Sequence, residues 1–312
     1  MSNSQPVTVP VTTDVDAPRS APVPRKLTRA EQRAVDAKTR LTSPAASAIA
    51  VVIAIFWTLP TAGLLVTSVR PAADVRKDGW WNFFVRPNFT LDNYVEVLGQ
   101  NSLGNNLINS FIITIPGVLI PILLALLAAY AFAWIDFKGR DWLFAAVFAL
   151  QVVPIQVTLV PLLTTYVKAG IAGTFWTVWL SHTIFGLPLA IFLLHNFMKE
   201  IPRSLIEAAR VDGAGHVRVF FQVLLPLLMP AIASFGIFQF LWVWNDLLVA
   251  MVFAGPANQP ITATMAQMMT NKASRNDLLA PGAFIAMVVP LIVFLSLQRF
   301  FVRGLLAGGV KG

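Results

Sequence analysis

Five charged or titratable side chains, Glu207, Arg210, Asp212, His216 and Arg218, fall within twelve residues of an otherwise apolar region. These types at this spacing suit ion pairing and hydrogen bonding with a partner surface better than bond-making chemistry. Gly213 and Gly215 lie among them, and Pro226 and Pro230 close the run that follows. A second polar group, Asn245 and Asp246 behind Trp242 and Trp244, interrupts an apolar stretch. An acidic side chain there is costly to leave facing lipid, so it marks a functional site or an internal packing contact. Tryptophans beside Asn and Asp offer the stacking and hydrogen-bonding groups that sugars use. Asn109, Ser110, Gln151 and Gln156 are further candidates for a polar cavity, with hydrogen bonding between helices as the alternative.

Catalysis has little to stand on. The chain has no cysteine, hence no thiolate nucleophile, disulfide or cysteine metal site. His182 and His195 lack metal-ligand spacing, and neither H-E-x-x-H nor the phosphate-binding G-x-x-x-x-G-K-[ST] occurs. No nucleotide, metal or other cofactor is expected in this chain. The net charge of +8 is not gathered on a polar domain with interleaved aromatics, which argues against nucleic acid.

The elements that hold these groups must be built in lipid. Of 312 residues, 56% are hydrophobic and 12% charged, where a soluble protein has about 25% charged. The composition predicts an all-α polytopic membrane protein. Six stretches are long enough to cross a hydrocarbon core of about 30 Å, near 45–68, 107–134, 142–166, 175–197, 228–253 and 279–299. Prolines 60, 116, 121, 154, 161, 188 and 290 lie inside them, which predicts kinked helices packed in a bundle. Residues 1–40 read as a disordered basic cytoplasmic tail without a cleaved signal peptide, and residues 41–312 as the transmembrane domain. With the N-terminus inside, 16 Lys and Arg fall on the cytoplasmic side against 7 outside, so both termini are expected in the cytoplasm.

Residues 70–106 then form an external loop whose Trp80, Trp81, Phe83, Phe84 and Tyr94 suit an interfacial belt, or a docking surface for an external partner. Residues 199–218 form a cytoplasmic loop between spans four and five. Ser204-x-x-Glu207 has the spacing of a capping box, which predicts a short helix from Ser204. Asp212 and Gly213 predict its end, with Gly213 in a left-handed cap. A second helix is expected to begin near Gly215 and run to Pro226 and Pro230, where the chain turns into span five. Ala208, Ala209, Ala214 and Gly215 would leave the turn nearly bare. The product is either a docking knob for another protein or an ordinary capped loop helix.

The run Glu207-Ala208-Ala209-x-x-Asp212-Gly213-Ala214, with Phe220, Pro226 and Pro230, resembles the EAA loop of permease subunits of binding-protein-dependent ABC importers. "LINS" at 107–110, "AAYAFAW" at 128–134, "LPLAIFLLHNFMKEIP" at 187–202, "WND" at 244–246 and the final "GLLAGGVKG" are similar to the maltose-type carbohydrate branch. The ending from residue 290 looks most like alpha-glucoside permeases. The resemblance implies a prokaryotic cell-membrane subunit that forms an alternating-access sugar pathway with a second permease. Two ATPase subunits would hold ATP and Mg and dock on the EAA loop, and an extracytoplasmic sugar-binding protein would deliver substrate. Ser204, Glu207, Ala208, Ala209, Asp212, Gly213 and Ala214 would then couple to the ATPase. The C-terminal tail 303–312, with Lys311, is a further ATPase contact or a frayed end. An ATP-independent secondary transporter, which often shows inverted repeats, and a membrane-embedded enzyme are the competing classes.

Overall fold

The computed structural model describes residues 44–99, 103–271 and 276–309; the basic tail 1–40, Lys272, Arg275 and Lys311 lie outside them. Contacts divide the chain into units Met1–Leu59 and Pro60–Gly312, and helix α1 (Pro44–Ser68) crosses their boundary. Ile49, Val52, Phe56 and Trp57 on α1 are exposed, as suits a helix surrounded by hydrocarbon.

After α1 come short helices α2 (Ala72–Lys77) and α3 (Asp92–Gly99), with a 3-10 turn at Trp80–Phe84 between them. The remaining helices are α4 (Leu103–Trp134), α5 (Arg140–Ala149), α6 (Ile155–Lys168), α7 (Phe175–Glu200), α8 (Arg203–Val211), α9 (His216–Trp244), α10 (Leu248–Phe253), α11 (Ile261–Asn271) and α12 (Asn276–Gly309). No strand occurs among the described residues, apart from a single bridge between Gly173 and Ala254. A backbone in lipid must satisfy its own polar groups, and helices do so locally. Among the described residues five helices, α1, α4, α7, α9 and α12, are long and apolar enough to span a membrane.

Three spans depart from the sequence expectation. The third is broken: Arg140–Val152 and Ile155–Lys168 meet at 101°. Pro154 explains the break, because its ring drives Val153 out of the helical region, to φ −71° and ψ 120°. The fifth span begins at His216 and ends at Trp244, both earlier than expected. Pro226 does not turn the chain. A π-type stretch at Val219–Leu224 precedes it and widens the hydrogen-bond ladder where the proline offers no N–H, so the helix continues. In the sixth, α12 runs on through Gly309, so most of the expected tail 303–312 continues that helix.

The main core joins α4, α7, α8 and α9. Ile122, Ala125, Leu126 and Ala129 meet Ala190, Ile191, Leu194 and Met198, with Phe220, Leu224, Leu228 and Phe235 closing the cluster. Small residues let the backbones approach. At Gly186 a Cβ would lie 2.8 Å from Nε2 of Gln239, so a larger residue there would have to displace that buried amide. Gln239 in turn donates to the Gly117 carbonyl at 3.1 Å, linking α9 to α4.

The loop between α1 and α4 folds back on the end of α1. Buried Arg70 donates to the Gly79 carbonyl at 2.9 Å and pairs with Asp78, while Asn93 donates to the Arg70 carbonyl at 2.7 Å. The bond from Arg70 holds the Asp78 carboxyl below its ordinary pKa. Arg76 reaches Asp277 at the start of α12 at 3.3 Å. Within this loop Trp81, Phe84 and Phe89 are exposed.

Candidate functional site

The loop between α7 and α9 is a knob with a sharply sorted surface. Pro202 forces Ile201 into an extended conformation and ends α7. Helix α8 then starts at Arg203, with Pro202 at its cap and no side-chain capping bond. The expected Ser204–Glu207 capping box is therefore absent. It needs Ser204 at the cap, and the proline takes that place, putting Ser204 inside the first turn.

The other end follows expectation. Gly213 has φ +82°, the Ala214 N–H donates to the Ala209 carbonyl at 2.9 Å, and the Gly213 N–H donates to Arg210 at 3.0 Å. This pair of bonds is the Schellman arrangement, which satisfies carbonyls the helix end would orphan. Gly215 caps α9 in an extended conformation, and its carbonyl accepts from Val219.

The motif residues divide by face. Ile206 is buried in the main core, and Ala209 and Ala214 pack against it. Glu207, Ala208, Arg210, Asp212 and Gly213 are exposed. Only part of the expected bare turn is thus bare: Ala209 and Ala214 are spent on packing, leaving Ala208, Gly213 and Gly215 open. Val211 (87% exposed) and Val217 (73%) stand beside them, giving the tip apolar as well as charged character. No atom lies within 4 Å of where a Cβ at Gly213 would sit, so that face is open to a partner.

The polar residues of the apolar stretches separate into two groups. Gln151, Gln156 and Trp242 line one cavity of about 830 Å³ at the break between α5 and α6, together with Phe185, Phe238 and Gln239. Its wall is mostly apolar with a few polar groups, the make-up of a small-molecule site. Asn109, Ser110, Asn245 and Asp246 lie elsewhere. Asn109 donates to the carbonyls of Ala257 and Gln259 at 3.0 and 3.1 Å, and the Ser110 hydroxyl accepts from the Ile261 N–H at 2.8 Å. These two pin the segment between α10 and α11. Asn245 donates to the Leu241 carbonyl, one turn back in α9. The Asp246 carboxylate accepts from the N–H groups of Val249 (3.3 Å) and Ala250 (3.0 Å), capping α10. Trp244 is buried and donates to the Ala286 carbonyl.

Two residues beside this region were missed in the sequence. Gln239 sits in an apolar run without flanking polar residues, and only the facing Gly117 and Gly186 reveal its role. His182 is fully buried, its ring 5.3 Å from that of Trp242 and its Nε2 3.8 Å from the Asp246 carboxylate. His182 and Asp246 are far apart in the sequence, and nothing along it hinted at their proximity. Among the described residues no group of three His, Asp or Glu could hold a metal.

Comparison with known proteins fits this geometry. Residues 117–307 match the family described as binding-protein-dependent transport system inner membrane component. The osmoprotective compounds uptake permease protein GgtD of Synechocystis is 51% identical over 83% of this chain and 89% of its own length. The alpha-glucoside transport system permease protein AglG of Rhizobium meliloti is also 51% identical, over 72% of this chain and 61% of its own. A crystal structure of a bacterial ABC transporter involved in import of the acidic polysaccharide alginate contains a chain similar in fold. Its TM-score is 0.67 at 19% identity, covering 88% of this chain and 99% of that one.

Proposed function

Because the chain belongs to the binding-protein-dependent transport system inner membrane components, we propose that its knob, Arg203 to Arg218, is where an ATPase drives it. The chain is a multi-pass membrane permease of an ABC importer for sugars, a transport subunit and not an enzyme. The observation that carries the coupling reading is the sorting of one motif between two faces. Ile206, Ala209 and Ala214 grip the bundle, while Glu207, Ala208, Asp212 and Gly213 face outward. A push on the outer face is thereby delivered to a packed core that deforms little.

In this reading both termini and the knob are cytoplasmic, and the loop 70–106 is external. Two ATPase subunits hold ATP and Mg²⁺ and dock on this knob and on that of a second permease. An extracytoplasmic sugar-binding protein delivers the substrate, as the family's description supports. Lys311 is a second candidate ATPase contact. Substrate passes along the cavity bearing Gln151, Gln156 and Trp242. Asp246, Asn109 and Ser110 act from behind that wall by fixing the segments around it, and Asn245 by closing the end of α9.

The substrate proposed is an oligosaccharide, an alpha-glucoside such as maltose or trehalose, on the strength of the alpha-glucoside permease relative. A second reading, an osmoprotective compound, is favoured by the relative of equal identity named for such uptake. Uptake of labelled maltose, trehalose and sucrose by a strain deleted for the gene and complemented with it decides between them. The alpha-glucoside reading predicts restored sugar uptake that ceases when ATP is depleted. Restored growth at high osmolarity without restored sugar uptake would favour the second reading. Uptake that survives ATP depletion would overturn the ATP-driven mechanism.

A further inference from the structure

The knob is joined to the bundle by apolar packing and by a directed polar bond. Near the end of α4 the hydroxyl of Tyr130, 8% exposed, lies 2.6 Å from Nδ1 of His216, the first residue of α9. The two rings meet edge to face with centroids 6.0 Å apart, and Tyr130 also meets buried Phe220 edge to face at 5.5 Å. Both aromatic partners of Tyr130 thus come from the first turns of α9, where the knob becomes span five.

The location matters because α7, the knob and α9 follow one another directly in sequence, while α4 is separated from them by α5 and α6 and meets α9 by packing. Immediately after His216 comes the π-type stretch Val219–Leu224. Such a stretch is a weak point in a helix, where a displacement is absorbed by bending. Apolar packing transmits a push, but the hydrophobic effect is non-directional and does not by itself select one register between two helices. A short hydrogen bond between side chains on two helices fixes their register.

We propose that Tyr130 is a positioning residue for energy coupling. Its bond to His216 clamps the start of α9 to α4, so that displacement of the knob moves α4 instead of being absorbed in the π-type stretch. The proposal rests on the knob being the ATPase docking point.

The test uses the complete complex of both permeases, ATPase and binding protein in proteoliposomes, and reads sugar molecules moved per ATP hydrolysed. Tyr130→Phe keeps the ring packing and removes only the hydroxyl. We expect the ratio to fall severalfold while the ATPase stays bound. The Arg210 side chain also meets the Tyr130 hydroxyl, so His216→Ala should lower the ratio by no more than Tyr130→Phe, and the double variant should fall no further than Tyr130→Phe alone, because that substitution already removes the bond to His216. His216→Asn, whose amide can occupy the place of Nδ1, should restore most of the ratio. An unchanged ratio in Tyr130→Phe would overturn the proposal. So would multiplying effects in the double variant, or loss of the ATPase from the Tyr130→Phe complex, since docking does not need the clamp. Failure of the docking reading itself shows separately, as normal uptake and ATPase binding in Gly213→Asp.

Discussion

The knob and the polar cluster around Asp246 both interrupt an apolar chain, yet they use their polar residues in opposite ways. In the knob the backbone does the structural work: Pro202 starts α8, Gly213 ends it, and the bonds at Ala214 and Gly213 close the turn. Apart from the contacts of His216 and Arg210 with Tyr130, its charged and titratable side chains are left outside. Around Asp246 the side chains do that work. Asp246 caps α10, Asn109 and Ser110 hold the segment at 257–261, and Asn245 is tied to its own helix. Where polar groups are buried, as Asn109 and Ser110 are, an unmade hydrogen bond is costly, so they are consumed in pinning irregular backbone. Where water is present, they remain for a partner. A polar residue in an apolar chain is thus a weak pointer to substrate until its bonds are accounted for.

The largest effect that sharpens this contrast is expected from Gly213→Asp. The left-handed backbone costs a non-glycine residue about 1–2 kcal/mol, least for Asp and Asn, and no clash arises at this position. The protein should stay folded and in the membrane, while uptake falls to background and co-purification with the ATPase weakens. Gly213→Asn carries the same backbone cost without the charge and separates the two causes. Wild-type uptake by Gly213→Asp would remove the coupling role from this face.

A smaller effect is expected from Asp246. Loss of a helix cap costs about 1 kcal/mol, so Asp246→Ala should lower thermal stability while leaving the apparent KM for sugar near its normal value. Asp246→Asn keeps a capping oxygen and should behave almost as the unaltered chain. A large rise in KM with normal stability in Asp246→Asn would instead give this carboxylate a direct substrate contact. Gln156→Ala is the counterpart in the cavity. Removing one substrate hydrogen bond is worth about 1 kcal/mol, or about fivefold in KM, with stability unchanged. Equal KM effects from Gln156→Ala and Asp246→Asn would erase the distinction between lining and support.

The smallest effect concerns Asp78. Its pKa is lowered by Arg70, so ionisation stabilises the folded loop above the unfolded value of 3.8, and that contribution is lost as pH falls through the lowered folded value. Protease cleavage within loop 70–106 should therefore rise on acidification below about pH 4, and Asp78→Asn should flatten that dependence. An identical acid response in Asp78→Asn would assign it to other groups.

Helix class, membrane setting and the short helix ended by Gly213 were legible in the sequence, because composition, hydrophobic run length and glycine's backbone freedom are local properties. The break at Pro154 was legible only as a kink; its 101° depends on how both halves pack. The continuous helix through Pro226 was not legible, since proline permits either a turn or a local widening of the ladder, and the packing of Phe220 and Leu224 decides. The inward face of Ala209 and Ala214 was hidden for a similar reason. Small side chains suit close approach by a partner and close packing on a core equally well. Gln239 and His182 are defined by neighbours distant in sequence, which spacing along the chain does not record.

The central claim is that the outward face of the knob, and not its inward face, meets the ATPase. The chain has no cysteine, so single thiols can be placed without background from this subunit. Ala208→Cys and Ala209→Cys, at neighbouring positions that point about 100° apart, the first exposed and the second against the core, are each treated with a short photoactivatable thiol crosslinker in the assembled complex. The account predicts a crosslink to the ATPase subunit from Ala208→Cys and little or none from Ala209→Cys. Absence of the ATPase from the Ala208→Cys product, or equal yields from both positions, would contradict it.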